Sequence, residues 1–274
     1  MTETAEAWLN RTTSFWTPHA TQFDGARSHR TSIESKLDAA LGIFRMFEIG
    51  SLRHGTGIWL YSDADYLVSL KGSQPSSPWT ALNNVKAALQ ARFPLTTIVV
   101  RQPAVVCHFS DGVVEVVPGY ITPSGYSIPD PTGGWMTTHP EEHNSWVNEV
   151  NKKHGGAAKK LARQVKIWKY KRNVPVSSCY LEMRAAKHID GESSYFPVWD
   201  LHLALKKIHD ANLAAMNDPA GLGSRFTATS SESKKEDAMS KLSTAVSRAE
   251  KARGYEKVGD HVRAIAQLEL LFNA

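Results

Sequence analysis

The chain is poor in cysteine, has no long apolar run, and carries neither an internal repeat nor a low-complexity tract. Its two cysteines, Cys107 and Cys179, lie far apart in 274 residues. That spacing supports neither a disulfide framework nor a zinc site, and both read as reduced, buried thiols of a cytoplasmic protein. No segment approaches the roughly 20 apolar residues that span a bilayer, so no membrane partner is expected. The opening Met1-Thr2-Glu3-Thr4-Ala5-Glu6 lacks the basic start and apolar centre of a signal peptide. A strong excess of either charge is missing too. The formal net charge of +5 fits a phosphate-bearing ligand but is too small to demand nucleic acid, which leaves nucleic-acid binding open. With 42% hydrophobic and 22% charged residues, the composition is that of a globular protein.

What is present centres on Gly50-Ser51-Leu52-Arg53-His54-Gly55-Thr56 and, shortly after, Ser62-Asp63-Ala64-Asp65-Tyr66-Leu67-Val68. The Gly-Ser turn offers backbone N–H groups and a hydroxyl, a combination suited to phosphate. The run after Asp65 reads as a half-buried strand, in which residues i and i+2 share a face, so Asp63 and Asp65 point the same way. Paired carboxylates repel each other and normally persist in the company of cations. A further acid, Glu115, stands within Val113-Val114-Glu115-Val116-Val117-Pro118. It either faces solvent from an edge strand or joins the aspartates, because an ionised Glu in a dry core without a partner is costly. Three carboxylates would suit two Mg²⁺ ions, with Mn²⁺ as a substitute, far better than zinc.

Around these residues the pattern predicts alternating elements. Residues 1–30 are read as a polar surface wrap. Thr31-Ser32-Ile33-Glu34 reads as a capping box opening an amphipathic helix over 32–48, with Ile33, Leu37, Leu41 and Phe44 on its stripe. A second helix is expected from Trp79 to Phe93, then strands over Leu95–Arg101, Ala104–Phe109 and Val113–Val117. The Pro- and Gly-rich 118–140 reads as a long irregular crossing. Helices follow over 141–153, 157–172, Ser178–Ala185, Val198–Met216, 232–253 and 259–272. An α/β lobe at 1–138, with an N-terminal helix that could span both lobes, and a helical lobe at 139–274 are therefore expected. On the helix over 157–172, Lys159, Arg163 and Lys166 share a face opposite Leu161, Val165 and Trp168, which by periodicity alone is a solvated basic stripe. His54 is read as structural, and Tyr120, Tyr126, Trp135 and Tyr195 as packing residues.

The ordered set Gly50-Ser51, Asp63-Ala64-Asp65 and Glu115 resembles the nucleotidyltransferase superfamily that includes DNA polymerase beta and the poly(A) polymerases. The resemblance is closer to the branch of cyclic GMP-AMP synthase, oligoadenylate synthase and the bacterial CD-NTases of anti-phage defence. Gly50-Ser51-x-x-x-Gly55-Thr56 is similar to that branch's Gly-Ser-x-x-x-Gly-Thr, and Val116-Val117-Pro118 to its apolar-Val-Pro ending. Gln164-Val165-Lys166-Ile167-Trp168-Lys169 resembles its Leu-Lys-x-Trp helix, and Ser178-Cys179-Tyr180-Leu181-Glu182 its Ser-Phe-x-Leu-Glu segment. Asp218-Pro219 and the C-terminal helices ending in Leu270-Leu271-Phe272 fit as well.

The resemblance implies an α+β fold, a polymerase beta-like lobe with a mixed sheet plus a helical C-terminal lobe, with the active site in the cleft between them. It implies that Asp63 and Asp65 bind both metals and Glu115 the one that activates the attacking hydroxyl. Gly50 and Ser51 would meet the triphosphate, with Lys166 and Ser178 holding its tail. The third acid in relatives is often Asp, and Glu115 is one methylene longer. The implied activity joins NTPs into a cyclic di- or trinucleotide or short oligonucleotide second messenger with release of pyrophosphate. ATP, GTP or other NTPs are the implied substrates, and an operon-encoded regulator and effector the implied partners. A nucleotidyltransferase acting on an RNA end, a protein or a small molecule shares the same N-terminal motifs. A nucleotide-binding protein with an inactive site is the remaining reading.

Overall fold

A computed structural model describes residues 3–223 and 225–274 of the chain. In chain order the elements begin with α1 (Ala5–Phe15), a 3-10 turn at Ala20–Phe23, α2 (Asp24–Ser28), α3 (Arg30–Leu41), β1 (Ile43–Ile49) and α4 (Gly50–Arg53). Then come β2 (Ala64–Leu70), α5 (Pro78–Arg92), β3 (Thr97–Arg101), β4 (Ala104–Phe109), β5 (Gly112–Thr122), β6 (Gly125–Pro129) and β7 (Trp135–Thr138). The remainder is α6 (Pro140–Lys153), α7 (Ala157–Lys171), α8 (Ser178–Asp190), α9 (Pro197–Asp210), β8 (Met216–Asn217), β9 (Arg225–Phe226), α10 (Glu232–Lys257) and α11 (His261–Phe272). This is an α+β fold with a mixed sheet. Among the described residues no helix is long and apolar enough to cross a membrane.

The chain forms two compact units, each built from separated segments. The sheet unit comprises residues 19–54 and 62–144; the helical unit comprises 1–18, 55–61 and 145–274. They are interleaved in sequence rather than consecutive, unlike lobes at 1–138 and 139–274. The reason lies in α1, whose Ala5, Trp8 and Leu9 are buried in the helical core beside Leu161, Trp168, Leu201 and Phe272. α1 is therefore part of a core rather than of a surface wrap. Apolar burial of the aromatic Trp8 outweighs the polar look of its neighbours.

In the sheet unit the strands run β1-β2-β5-β4-β3, with β6 continuing β5 and β7 pairing β6. β2 is parallel to β5 and antiparallel to β1, and β4 is antiparallel to both β5 and β3. Even-numbered residues of the central strands, Tyr66, Val68, Val114 and Val116, pack with Ile33 and Leu37 of α3 and Leu82, Val85 and Leu89 of α5. Odd-numbered Leu67 and Val117 pack with Ala104, Tyr126 and Ile128 instead. The period-2 alternation of a strand thus divides this unit into two layers.

Several expectations change here. The helix read over 32–48 is a helix only to Leu41; Gly42, at φ +67°, ends it, and Ile43–Ile49 pairs with β2 as a strand. Cross-strand pairing overrode a helical period that Phe44 happened to continue; its ring is largely exposed. The capping box does not form, because α3 starts at Arg30 after His29 and Thr31 lies inside it. Residues 118–140 are largely ordered strand, since β5 runs through Pro118 to Thr122 and then turns back as β6 and β7. The helix read as Val198–Met216 ends at Asp210, and Met216 belongs to β8. Cys107 is buried as expected, but Cys179 is exposed.

Candidate active site

Gly50 begins α4 directly after β1, at φ +68°, and a Cβ there would overlap the Asp65 carboxylate. Glycine is needed at this position both for its backbone and for the close approach of that carboxylate. The Ser51 hydroxyl donates to Ser62 Oγ at 3.1 Å, which ties the Gly-Ser turn to the residue preceding Asp63.

Asp65 stands opposite Glu115 in the parallel pairing of β2 with β5, so the two project from the same face. Asp63 precedes the strand and reaches Glu115 as well: burial, then the Glu115 charge and a hydrogen bond with Glu115, push its carboxyl up to about 7 from 3.8, against the opposing pull of Arg101. Arg101, at the end of β3, ion-pairs closely with Glu115 and lies 3.6 Å from Asp63 Oδ2. The solvent-facing edge position considered for Glu115 does not hold. Its side chain is mostly covered, on a central strand.

Arg101 was not singled out from the sequence. It carries no motif, and only the register of β3 and β4 brings it across to Glu115. Among the described residues Arg101, itself 63% exposed, is a cation shared by Glu115 and Asp63, and burial together with the Glu115 charge pushes Asp63 toward its protonated form. An all-oxygen donor set of crowded carboxylates matches the preference of a hard divalent cation. Asp63, Asp65 and Glu115 are the residues that would hold it.

The two residues assigned to the triphosphate tail, Lys166 and Ser178, both belong to the helical unit. Lys166 is fully buried; its ammonium donates to the Thr56 carbonyl at 2.8 Å and to Thr56 Oγ1 at 3.3 Å, and lies 3.6 Å from Glu182 Oε2. Thr56 Oγ1 donates in turn to Glu182, and Arg163 donates to the Gly55 carbonyl at 2.5 Å. The face read as a solvated basic stripe is thus largely covered, and its cations fasten the Gly55–Thr56 segment to α7 and α8. Ser178, the first residue of α8, accepts from Lys169 Nζ at 2.6 Å and hydrogen-bonds the Tyr170 hydroxyl at 3.0 Å. Lys169, half-buried, is the ammonium beside Ser178. Its only sequence signal was its place three residues after Lys166, on the adjacent part of the helix.

A mixed sheet bearing adjacent acids next to a Gly-Ser turn, in an α+β chain with a helical unit, defines a polymerase beta-like nucleotidyltransferase fold. Residues 17–151 match the family described as the Second Messenger Oligonucleotide or Dinucleotide Synthetase domain. A probable cyclic nucleotide synthase of Bacillus cereus is 36% identical over 90 residues, covering 30% of this chain and 27% of the relative. The aligned part thus spans about a quarter of that relative's length. Among solved structures, E. coli MS115-1 CdnC with ATP superposes with a TM-score of 0.78 at 16% identity, covering 98% of both chains. Bradyrhizobium diazoefficiens CdnG with GTP gives 0.73 at 13% identity over 99% of both. Vibrio cholerae DncV, a cyclic AMP-GMP synthase bound to a linear intermediate, gives 0.65 at 14%, over 98% of this chain and 84% of that one. The likeness to CD-NTases inferred from the motifs therefore holds in both sequence and fold.

Proposed function

We propose that the chain is a divalent-metal-dependent nucleotidyltransferase that joins NTPs into a cyclic di- or trinucleotide or a short oligonucleotide, with release of pyrophosphate. The observation that carries this reading is the convergence of Asp63, Asp65 and Glu115 beside the Gly50–Ser51 turn, close enough that the Glu115 charge raises Asp63. The matches to synthetase domains and synthases support it.

Mg²⁺, or Mn²⁺ in its place, would lower the pKa of the attacking hydroxyl and neutralise the departing pyrophosphate. Asp63, Asp65 and Glu115 would hold and orient it. Ser51 and the backbone at Gly50 meet phosphate oxygens, as helix N-termini and Gly-rich turns do. In this reading Lys169 and Ser178 contact phosphate, and Lys166 instead keeps the Thr56 segment in place. A bacterial cytoplasmic setting, an anti-phage signalling role and a regulatory partner belong to the same proposal. The last draws support from E. coli MS115-1 CdnC, which was solved in complex with a HORMA protein.

The direct test is incubation with each labelled NTP and with all four, plus Mg²⁺ or Mn²⁺, followed by mass analysis of small products. A free phosphodiester product that disappears in Asp63→Ala/Asp65→Ala supports the proposal. Label found only on an added RNA, protein or small-molecule acceptor would establish transfer to that acceptor instead.

A further inference from the structure

The sheet unit contains a second feature that the carboxylate site does not use. A cavity of about 450 Å³ sits at the outer edge of β1, within the size range of small-molecule sites. Three arginines line it: Arg27 from α2, Arg30 from α3 and Arg53 from α4. Phe47, Tyr66 and Pro140 provide apolar wall. Tyr66 follows Asp65 in β2 and points to the opposite face, whereas Phe47, paired with Leu67, lies on the Asp65 face, so the cavity wraps the β1 edge, and none of the three carboxylates lines it.

The charges in the cavity are unevenly matched. Glu48 lines it but is held by Arg27, whose Nε and a terminal nitrogen donate to its two oxygens at 2.8 and 3.2 Å. Glu141 also lines it and is engaged by Arg45, which lies outside the lining. Arg30 donates to the Met46 carbonyl of the edge strand at 2.9 Å and has Glu34 only at 3.8 Å. Arg53 has neither a hydrogen bond nor an ion pair among the described residues. Both carboxylates of the lining are therefore spoken for, while one guanidinium is unopposed and another is loosely opposed.

Guanidinium forks recognise planar oxyanions by paired hydrogen bonds, and an adjacent apolar wall accommodates a carbon skeleton. We propose that this cavity binds a small organic anion, a carboxylate or phosphate carried on an apolar ring, with Arg53 and Arg30 as its principal donors. The site stands apart from the proposed catalysis and needs no metal.

Titration calorimetry with phenyl phosphate and with phthalate, both in EDTA, tests it. At least one probe should bind with one-to-one stoichiometry. Arg53→Glu should weaken that binding about tenfold or more, as loss of a charge-assisted hydrogen bond predicts. Arg53→Lys should fall between, and Asp65→Asn should leave it unchanged. A thermal midpoint preserved in Arg53→Glu excludes unfolding as the cause. Which probe binds separates a phosphate ligand from a carboxylate ligand. The proposal is overturned if neither probe binds, if Arg53→Glu binds as the parent does, or if Asp65→Asn abolishes binding.

Discussion

Two clusters of charge in this protein are built from the same ingredients and reach opposite outcomes. In the helical unit, Lys166 and Glu182 are almost wholly buried, and Thr56 shares its hydroxyl and carbonyl with them, so both charges have partners. In the sheet unit, Asp63, Asp65 and Glu115 share one face with Arg101 as their nearby cation, and Asp63 is pushed up to about 7 chiefly by burial. The first cluster is complete as it stands. In the second, carboxylates crowd one another, and a ligand that brings positive charge would relieve that repulsion. A buried charge is therefore informative about function only after its partners have been counted.

The largest expected effect breaks the carboxylate cluster. Asp65→Ala should lower product formation by about a thousandfold or more, since removing a metal ligand removes the charge stabilisation of the reaction. Labelled-NTP turnover measures this, and activity within a few fold of the parent would contradict the assignment.

Next, Lys166→Ala attacks the satisfied cluster and should cost about 3–5 kcal/mol of stability, because it removes one charge of a buried ion pair. Urea unfolding reads the loss. Should Lys166→Ala unfold like the parent and only raise KM, Lys166 is a phosphate ligand after all and the contrast between the clusters fails.

A smaller effect is expected at Lys169. Lys169→Ala should raise KM for NTP about tenfold, the worth of one charge-assisted contact, with little change in unfolding midpoint. A stability loss matching that of Lys166→Ala would instead make both lysines structural.

The smallest effect is a pH dependence. Asp63 binds its proton more tightly in the folded chain than at its ordinary value of 3.8, so the metal-free protein should lose stability as pH rises from about 4 to about 7 and then level off. Divalent cation should reverse that trend, raising the thermal midpoint more at pH 8 than at pH 5. Asp63→Asn should flatten the metal-free profile. A midpoint that rises with pH over this window in the absence of metal would refute the stated environment of Asp63.

Much of the candidate site was legible in the chain because its signals are local. Gly50 and Ser51 form one turn, and Asp63 and Asp65 stand two residues apart in the chain, with Asp63 just before β2. Helices α5, α6, α7, α10 and α11 were likewise legible from long apolar periodicity and turn residues. The misread stretches are those where a non-local partner decided the outcome. Ile43–Ile49 has a strand to pair with in β2, residues 118–138 pair as a continuation of β5, and the N-terminal Trp8 has a helical core to enter. In each, pairing or burial against distant residues outweighed local composition.

The sequence by itself determined the chemistry on offer: adjacent carboxylates after a Gly-Ser turn, a further acid among valines, and lysines near Trp168. Tertiary structure alone decided which partners each of these charges meets. The register of β2 against β5 brings Glu115 to Asp65, β3 delivers Arg101, and the packing of α7 against α8 encloses Lys166 while leaving Lys169 beside Ser178. The physical reason is that a charge's role depends on its desolvation and its partners, and both are set by residues far away in the chain.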